Sequence, residues 1–332
     1  MTAMKKRATK KLLPALIVAS VLTGCAGPIT DNPTPLADRE ELAFSAVLPA
    51  GAVVEEPHSE PASVPRVELV ASPAPDARTP QERIPEIMAR GRIVVGVDQS
   101  QNLMSFRNPR TGDQEGFEID LAKALARDIF GNPDALELRF IDQSTQLAAL
   151  QTGDIDMAMR SITITADRAQ AVDFSAPYLT TTVQLLVDDA SPITSFDSVG
   201  EATVCVADNT TTVEYARAMT PQARLLKVRL RSDCLVALQQ GYTDVVMSDA
   251  VPLAGMANQD PHTRRVGANA RIGVQYYGVA VRDGERDLTQ QINASLARLI
   301  ADGTWSSLYN RWLGDYLGPA RPPVPLYGEE QP

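Results

Sequence analysis

Apolar and polar positions alternate in two long blocks. Residues 93–97 form a short apolar run ending at Asp98 and read as a buried strand, while residues 117–130 place Ile119, Leu121, Leu125 and Ile129 at helical spacing. Residues 138–141 predict a second strand, residues 147–150 part of a second helix, and residues 155–159 a third strand. The order βαβαβ implies a mostly parallel sheet. The pattern restarts with predicted strands at 203–206, 225–228 and 244–247 and helices at 213–219 and 234–240. A strand at 278–281 and helices at 288–300 and 305–313 follow. Two successive α/β units predict a two-lobed α/β protein. Ligands of such open sheets bind beyond the carboxyl ends of the strands. That rule points to Asp98, Ser161, residues 207–212, and Ser248 with Asp249.

The periodicity fails at both ends. Lys5, Lys6, Arg7, Lys10 and Lys11 precede an apolar run at 12–22, the pattern of an export signal and too short to span a bilayer stably. Leu22, Thr23, Gly24 and Cys25 resemble the lipobox of bacterial lipoproteins, which implies cleavage after residue 24 and lipid on Cys25. Between Pro28 and Pro80 lie ten prolines mixed with Ala, Ser, Glu and Asp, so residues 25–80 read as a disordered tether. Residues 319–332 read as a second proline-rich tail. The folded remainder divides into lobe 1, residues 81–183 and 278–318, and lobe 2, residues 184–277.

Composition narrows the function. The formal charge is −10, and loss of residues 1–24 removes five positive charges and no negative ones, deepening it to −15. Such a surface repels nucleic acid. With Cys25 assigned to lipid, Cys205 and Cys234 remain. Export favours a disulfide between them, and two buried free thiols are the alternative, because sequence does not fix their separation.

Gly116, Phe117, Glu118, Ile119, Asp120 and Leu121, followed by Leu125, Ala126 and Ile129, resemble the signature of bacterial extracellular solute-binding proteins of family 3, which serve polar amino acid transport. The resemblance covers roughly residues 91–314. It is nearest to actinobacterial glutamine- or glutamate-binding lipoproteins, through Asp98, Gln99, Asn102, Leu103, Ser105 to Arg107, and Cys234 to Gln240. It implies a type II periplasmic-binding-protein-like fold, a hinge near residues 181–185 and 276–278, and capture of an amino acid by lobe closure.

A second motif runs from Ser161 to Arg168 and on to Tyr178. By resemblance Arg168 holds the ligand α-carboxylate, a match of planar fork to carboxylate. Thr163 adds a hydroxyl and backbone donor, and Ser161 a carbonyl for the α-amino group. The resemblance also implies that Asp249 binds the ammonium from the second lobe, although an Asp before Ala250 and Val251 also reads as a helix cap. Thr210 and Thr211 precede a helix start that attracts carboxylates, with capping by Thr212 as the plain alternative. Three positions depart from the glutamine-binding pattern: Ala207 replaces a Lys, and Gln143 and Gln101 replace aromatic residues. A more polar wall favours glutamate, aspartate, asparagine or glutamine. Asp98 and Gln101 are expected to face the ligand side chain. Arg160 or Arg107 would answer a side-chain carboxylate, each being otherwise a surface charge.

An enzyme on the same architecture is the rival class. The only histidines are His58 and His262, and no metal spacing or nucleophile motif appears, so neither cofactor nor catalytic residue is expected. The expected partners are an amino acid, the membrane through the lipid anchor, and an ABC transporter permease or a membrane sensor, approached by a monomer at the extracytoplasmic face.

Overall fold

The computed structural model describes residues 48–57, 62–64, 69–268 and 272–328. The export signal and Cys25 lie outside these residues. Two sheets carry the fold.

The first has five strands in the order Leu136–Phe140, Ile93–Val97, Met157–Met159, Ala280–Arg282 and Val172–Phe174. The first three run parallel, with Val95 beside both Leu138 and Met157, and only Ala280–Arg282 runs against the rest. Every residue of Ile93–Val97 is buried, as its continuous apolar run requires of a strand covered on both faces. One cover is the Phe117–Phe130 helix, whose buried positions include Phe117, Ile119, Leu121, Leu125 and Ile129. Phe117 packs edge-on to Trp305 and Tyr309, tying this helix to Thr304–Tyr309. Gly116 opens it at φ 128°, and a Cβ there would overlap the Met104 carbonyl. Glycine is therefore required at this signature position on both counts.

The second sheet runs Val53–Glu55, Arg224–Val228, Thr203–Ala207, Val245–Asp249, Leu179–Asp188 and Thr263–Val266. The strands at 203, 224 and 245 are parallel, as the repeated βαβ pattern predicts. Cys205 on this sheet and Cys234 on the Arg231–Gln239 helix are joined, with sulfurs 2.01 Å apart, which fixes that helix to its sheet.

Leu179–Asp188 is a long strand of the second sheet that also reaches beyond the order just given. Its first residues pair with Val274–Tyr277, Leu179 opposite Tyr277, and its later residues pair with the second sheet, Val187 opposite Val245. Two antiparallel strands thus cross between the lobes.

The expectation of an unstructured tether over 25–80 does not hold for its described parts. Val53–Glu55 adds an edge strand beside Arg224–Val228. There Glu55 accepts hydrogen bonds from Arg217 Nε and Nη2, both at 2.7 Å, and lies 2.9 Å from Lys227 Nζ. Ser72–Pro73 pairs with Tyr327–Gly328, so part of the proline-rich tail is ordered too. Ser72 Oγ donates to the Phe174 carbonyl at 2.7 Å, and Asp76 accepts from Arg78 and Arg83. Alternating apolar positions such as Leu48, Ala52 and Val54 bury against the second sheet, and this outweighs the local preference for disorder.

Candidate functional site

The carboxyl ends of both parallel sheets face one cleft. Its cavity is lined from the first lobe by Arg160, Thr163 and Arg168 and from the second by Thr210, Thr211 and Asp249. The walls are close, leaving room for no more than about one water molecule.

Arg168 stands in a 3-10 turn, Arg168–Gln170. Its Nη1 donates to the Thr163 carbonyl at 2.9 Å, and its Nη2 reaches across the cleft to the Asn209 carbonyl at 3.2 Å. Gln143 Nε2 donates to the same carbonyl at 2.5 Å. Asn209 presents that oxygen from the left-handed region, φ 57°, which Asn tolerates better than most residues. Farther along the rim, Asn258 Nδ2 donates to Asn102 Oδ1 at 3.0 Å. The lobes therefore stand closed.

Asp249 ends the Val245–Asp249 strand and is buried. Oδ1 accepts from Gln275 Nε2 at 2.8 Å and Oδ2 from the Tyr277 hydroxyl. It is the N-cap residue of Ala250–Gln259, yet its side chain makes no capping bond, so the helix-cap reading is not realised. Burial pushes its carboxyl above the usual range, against the pull of Tyr277, Arg231 and Arg168.

Gln275 links both lobes: its Oε1 accepts from Thr163 Oγ1 at 2.7 Å and from Thr211 Oγ1 at 2.6 Å. Thr210, not Thr212, occupies the N-cap of Thr211–Met219. The Thr210 hydroxyl turns back to the Ala207 carbonyl at 2.7 Å. Thr211 and Thr212, which open that helix and whose amides have no acceptors within it, line the cavity.

Asp98 and Gln101 are placed differently from expectation. Asp98 Oδ1 accepts from the Ser100 amide and hydroxyl, both at 2.8 Å, while Oδ2 accepts from Gln101 Nε2 at 3.0 Å and Arg160 Nη2 at 3.1 Å. Neither residue lines the cavity. Asp98 is the buried counter-ion of Arg160: burial raises its carboxyl, but Arg160, Gln101 and Ser100 together bring it below the usual value. Burial in turn pulls the Arg160 guanidinium down against Asp98's opposing effect. Ser161 lines the cavity at φ 57°, the left-handed region, with its amide 2.6 Å and hydroxyl 3.2 Å from Glu118 Oε1. Glu118 is wholly buried, also accepts from the Tyr178 hydroxyl, and is pushed up by burial. Arg107 is exposed on a small three-stranded sheet and takes no part.

Sequence reasoning missed Gln275, Tyr277 and Arg231. The first two carried a signal, since they sit on a β-rich run that leads into the expected crossing at 276–278. Arg231 carried none, because the predicted helix began at 234 and only the structure puts Arg231 at its start, where the macrodipole disfavours a cation.

A crossing pair of strands, two sheets of matching direction and a polar cleft between them define a two-lobed binding protein of the type II periplasmic class. The chain belongs to the bacterial extracellular solute-binding proteins, family 3, whose family model matches residues 93–315. It is 32% identical over 234 residues to the ABC transporter glutamine-binding protein GlnH of Bacillus subtilis, covering 70% of this chain and 85% of that one. It is 29% identical over 235 residues to the glutamate-binding protein GluB of Corynebacterium glutamicum, covering 68% and 79%. Among solved structures, an ancestral arginine-binding protein bound to glutamine superposes with a TM-score of 0.63 at 29% identity, covering 68% of this chain and 99% of that one. The ancestral amino acid-binding protein AncCDT-1, a precursor of cyclohexadienyl dehydratase, gives 0.62 at 31%, covering 69% and 98%.

Proposed function

We propose that this protein captures a polar or acidic amino acid by closing its two lobes and delivers it to an ABC transporter permease, while lipid on Cys25 holds it at the outer face of the membrane. The observation that carries the reading is the convergence of Arg168 from the first lobe and Asp249 from the second on one cavity. A guanidinium suits an α-carboxylate and a carboxylate suits an ammonium, which offers only donors. A zwitterion between them satisfies both walls and so favours the closed state by its differential affinity.

The closed cleft is too small for an amino acid, so entry requires opening. The ligand carboxylate then replaces the Thr163 and Asn209 carbonyls on Arg168, exchanging neutral acceptors for an ionised one. Bonds of that kind contribute about 1.5–3 kcal/mol each. Thr211 and the helix start beside it complete the carboxylate site, while Thr163 and Ser161 border it. Transport is supported by the Bacillus subtilis relative, an ABC transporter glutamine-binding protein.

Calorimetric titration with the twenty amino acids tests the reading. Micromolar binding of at least one of glutamate, aspartate, glutamine and asparagine is expected, corresponding to about −8 kcal/mol. Arg168→Ala and Asp249→Ala should each weaken it by about a hundredfold or more, the loss of one charge-assisted contact with its partner left buried. Unchanged affinity in both variants sinks the assignment.

A further inference from the structure

Three guanidinium groups border the cleft, those of Arg160, Arg168 and Arg231, against one bordering carboxylate, Asp249. Arg160 is neutralised from behind by Asp98. Arg168 rests on two carbonyl oxygens. Arg231 stands apart: among the described residues it has neither a hydrogen bond nor an ion pair, and its Nε is buried.

Its position is unfavourable in two further ways. It begins the Arg231–Gln239 helix, whose positive dipole end opposes a cation, and it faces the two other arginines across the cavity. The one carboxylate bordering the cleft, Asp249, must serve both Arg231 and Arg168, and a partly desolvated charge with only a shared counter-ion is costly. The charge count of the cleft shows what would relieve it. A bound zwitterion sets its carboxylate against Arg168 and its ammonium against Asp249, and Asp98 already cancels Arg160. One positive charge is left over, on Arg231.

We propose that Arg231 reads a second carboxylate, on the ligand side chain, and so makes the acidic amino acids glutamate and aspartate the preferred ligands over their amides. The inference rests on the amino acid reading above and assigns to Arg231 the task expected of Arg160 or Arg107. Arg160 is committed to Asp98, and Arg107 lies exposed outside the cleft. An amide side chain would leave Arg231 uncompensated in the closed state, whereas a carboxylate supplies the missing charge and can accept from the buried Nε.

Calorimetry on the purified protein with glutamate, aspartate, glutamine and asparagine tests this. The wild type should bind an acidic ligand at least about tenfold more tightly than the corresponding amide, the value of one charge-assisted hydrogen bond. Arg231→Met, which keeps an apolar stem, should weaken glutamate binding by about tenfold or more and leave glutamine within about threefold. Arg231→Lys should recover part of the acidic preference, and a ligand-free thermal melt matching wild type shows that each variant is folded. A wild type that prefers glutamine overturns the inference even if no variant folds. Equal losses for glutamate and glutamine in Arg231→Met overturn it as well. Failure of the wild type to bind any amino acid defeats the functional reading itself, whereas binding without an acidic preference defeats only the role of Arg231.

Discussion

In the proposed site Asp249 is the acid that meets the ligand ammonium, and its surroundings set the pH at which it would do so. Burial holds its carboxyl above the ordinary range, so it takes up a proton at a higher pH than an exposed Asp, which titrates near about 3.9. Ammonium binding requires the ionised form. Affinity should therefore fall as pH drops through that raised value, and Asp249→Asn should bind weakly with little pH dependence. The stability that the buried acids contribute to the ligand-free protein should move the other way. Glu118 and Asp249 are both raised by burial, so between the unfolded and folded values the native state binds more protons than the unfolded chain. Stability from these groups is then lost as pH rises through that window. Asp98 is lowered, so its pairing with Arg160 persists until the pH falls below the usual carboxylate range. Calorimetric titrations from pH 4 to 8 should show affinity rising with pH for the wild type and nearly flat for Asp249→Asn; a wild type without that rise would refute the assignment. Arg168 and Asp249 could be singled out from the sequence because each lies in a contiguous motif. Gln275 was harder to find because its partners Thr163, Thr211 and Asp249 lie far away in the chain, and Arg231 because it has no bonded partner among the described residues and a polar residue near a helix start does not show what it faces.

At the scale of elements, the helix Ala250–Gln259 decides how nearly the lobes approach. Gly255 packs against Asn102 of the opposite lobe so closely that a Cβ would overlap the Asn102 carbonyl oxygen. Asn258, three residues on, donates across the same seam. Glycine is otherwise a poor helix residue, less favourable than Ala by about 1 kcal/mol. Gly255→Ala should therefore leave the open protein as stable as wild type or slightly more so, yet hinder closure and weaken ligand binding by about tenfold or more. Small-angle scattering with and without ligand checks this: the wild type should compact on binding, and the variant should compact less or need more ligand. Equal affinity and compaction would show that the seam yields easily. The helices and parallel strands could be read from periodicity, with bounds shifted by a few residues. The crossing strand Leu179–Asp188 was missed because its polar half, Thr180 to Thr182, belongs to the crossing and its apolar half to the second sheet, so neither reads as one strand of one sheet.

The whole molecule adds to its binding domain a segment that composition marked as a tether. Composition misled here because proline content reports the entropy of the free chain, while docking depends on a few spaced residues. Val53–Glu55 closes the open edge of the second sheet, and Glu55 neutralises Arg217 and Lys227 together. Deleting residues 26–70 would expose the Arg224–Val228 edge, a template for pairing with other chains, and would strip Arg217 and Lys227 of their shared acid. The bidentate contact with Arg217 contributes about 1.5–3 kcal/mol on the scale of hydrogen bonds to charged groups. In a folded part of this size each kcal/mol moves the melting temperature by about 2–4 °C, so the truncated protein should melt about 3–12 °C lower and aggregate more readily on heating. Its amino acid affinity should stay near wild type, because none of the residues bordering the cleft lies in the deleted segment. Glu55→Gln should reproduce part of the thermal loss without exposing the edge, separating the ion pairs from the strand. If truncation instead leaves the melting temperature unchanged, the docked segment adds nothing to the stability of the second lobe.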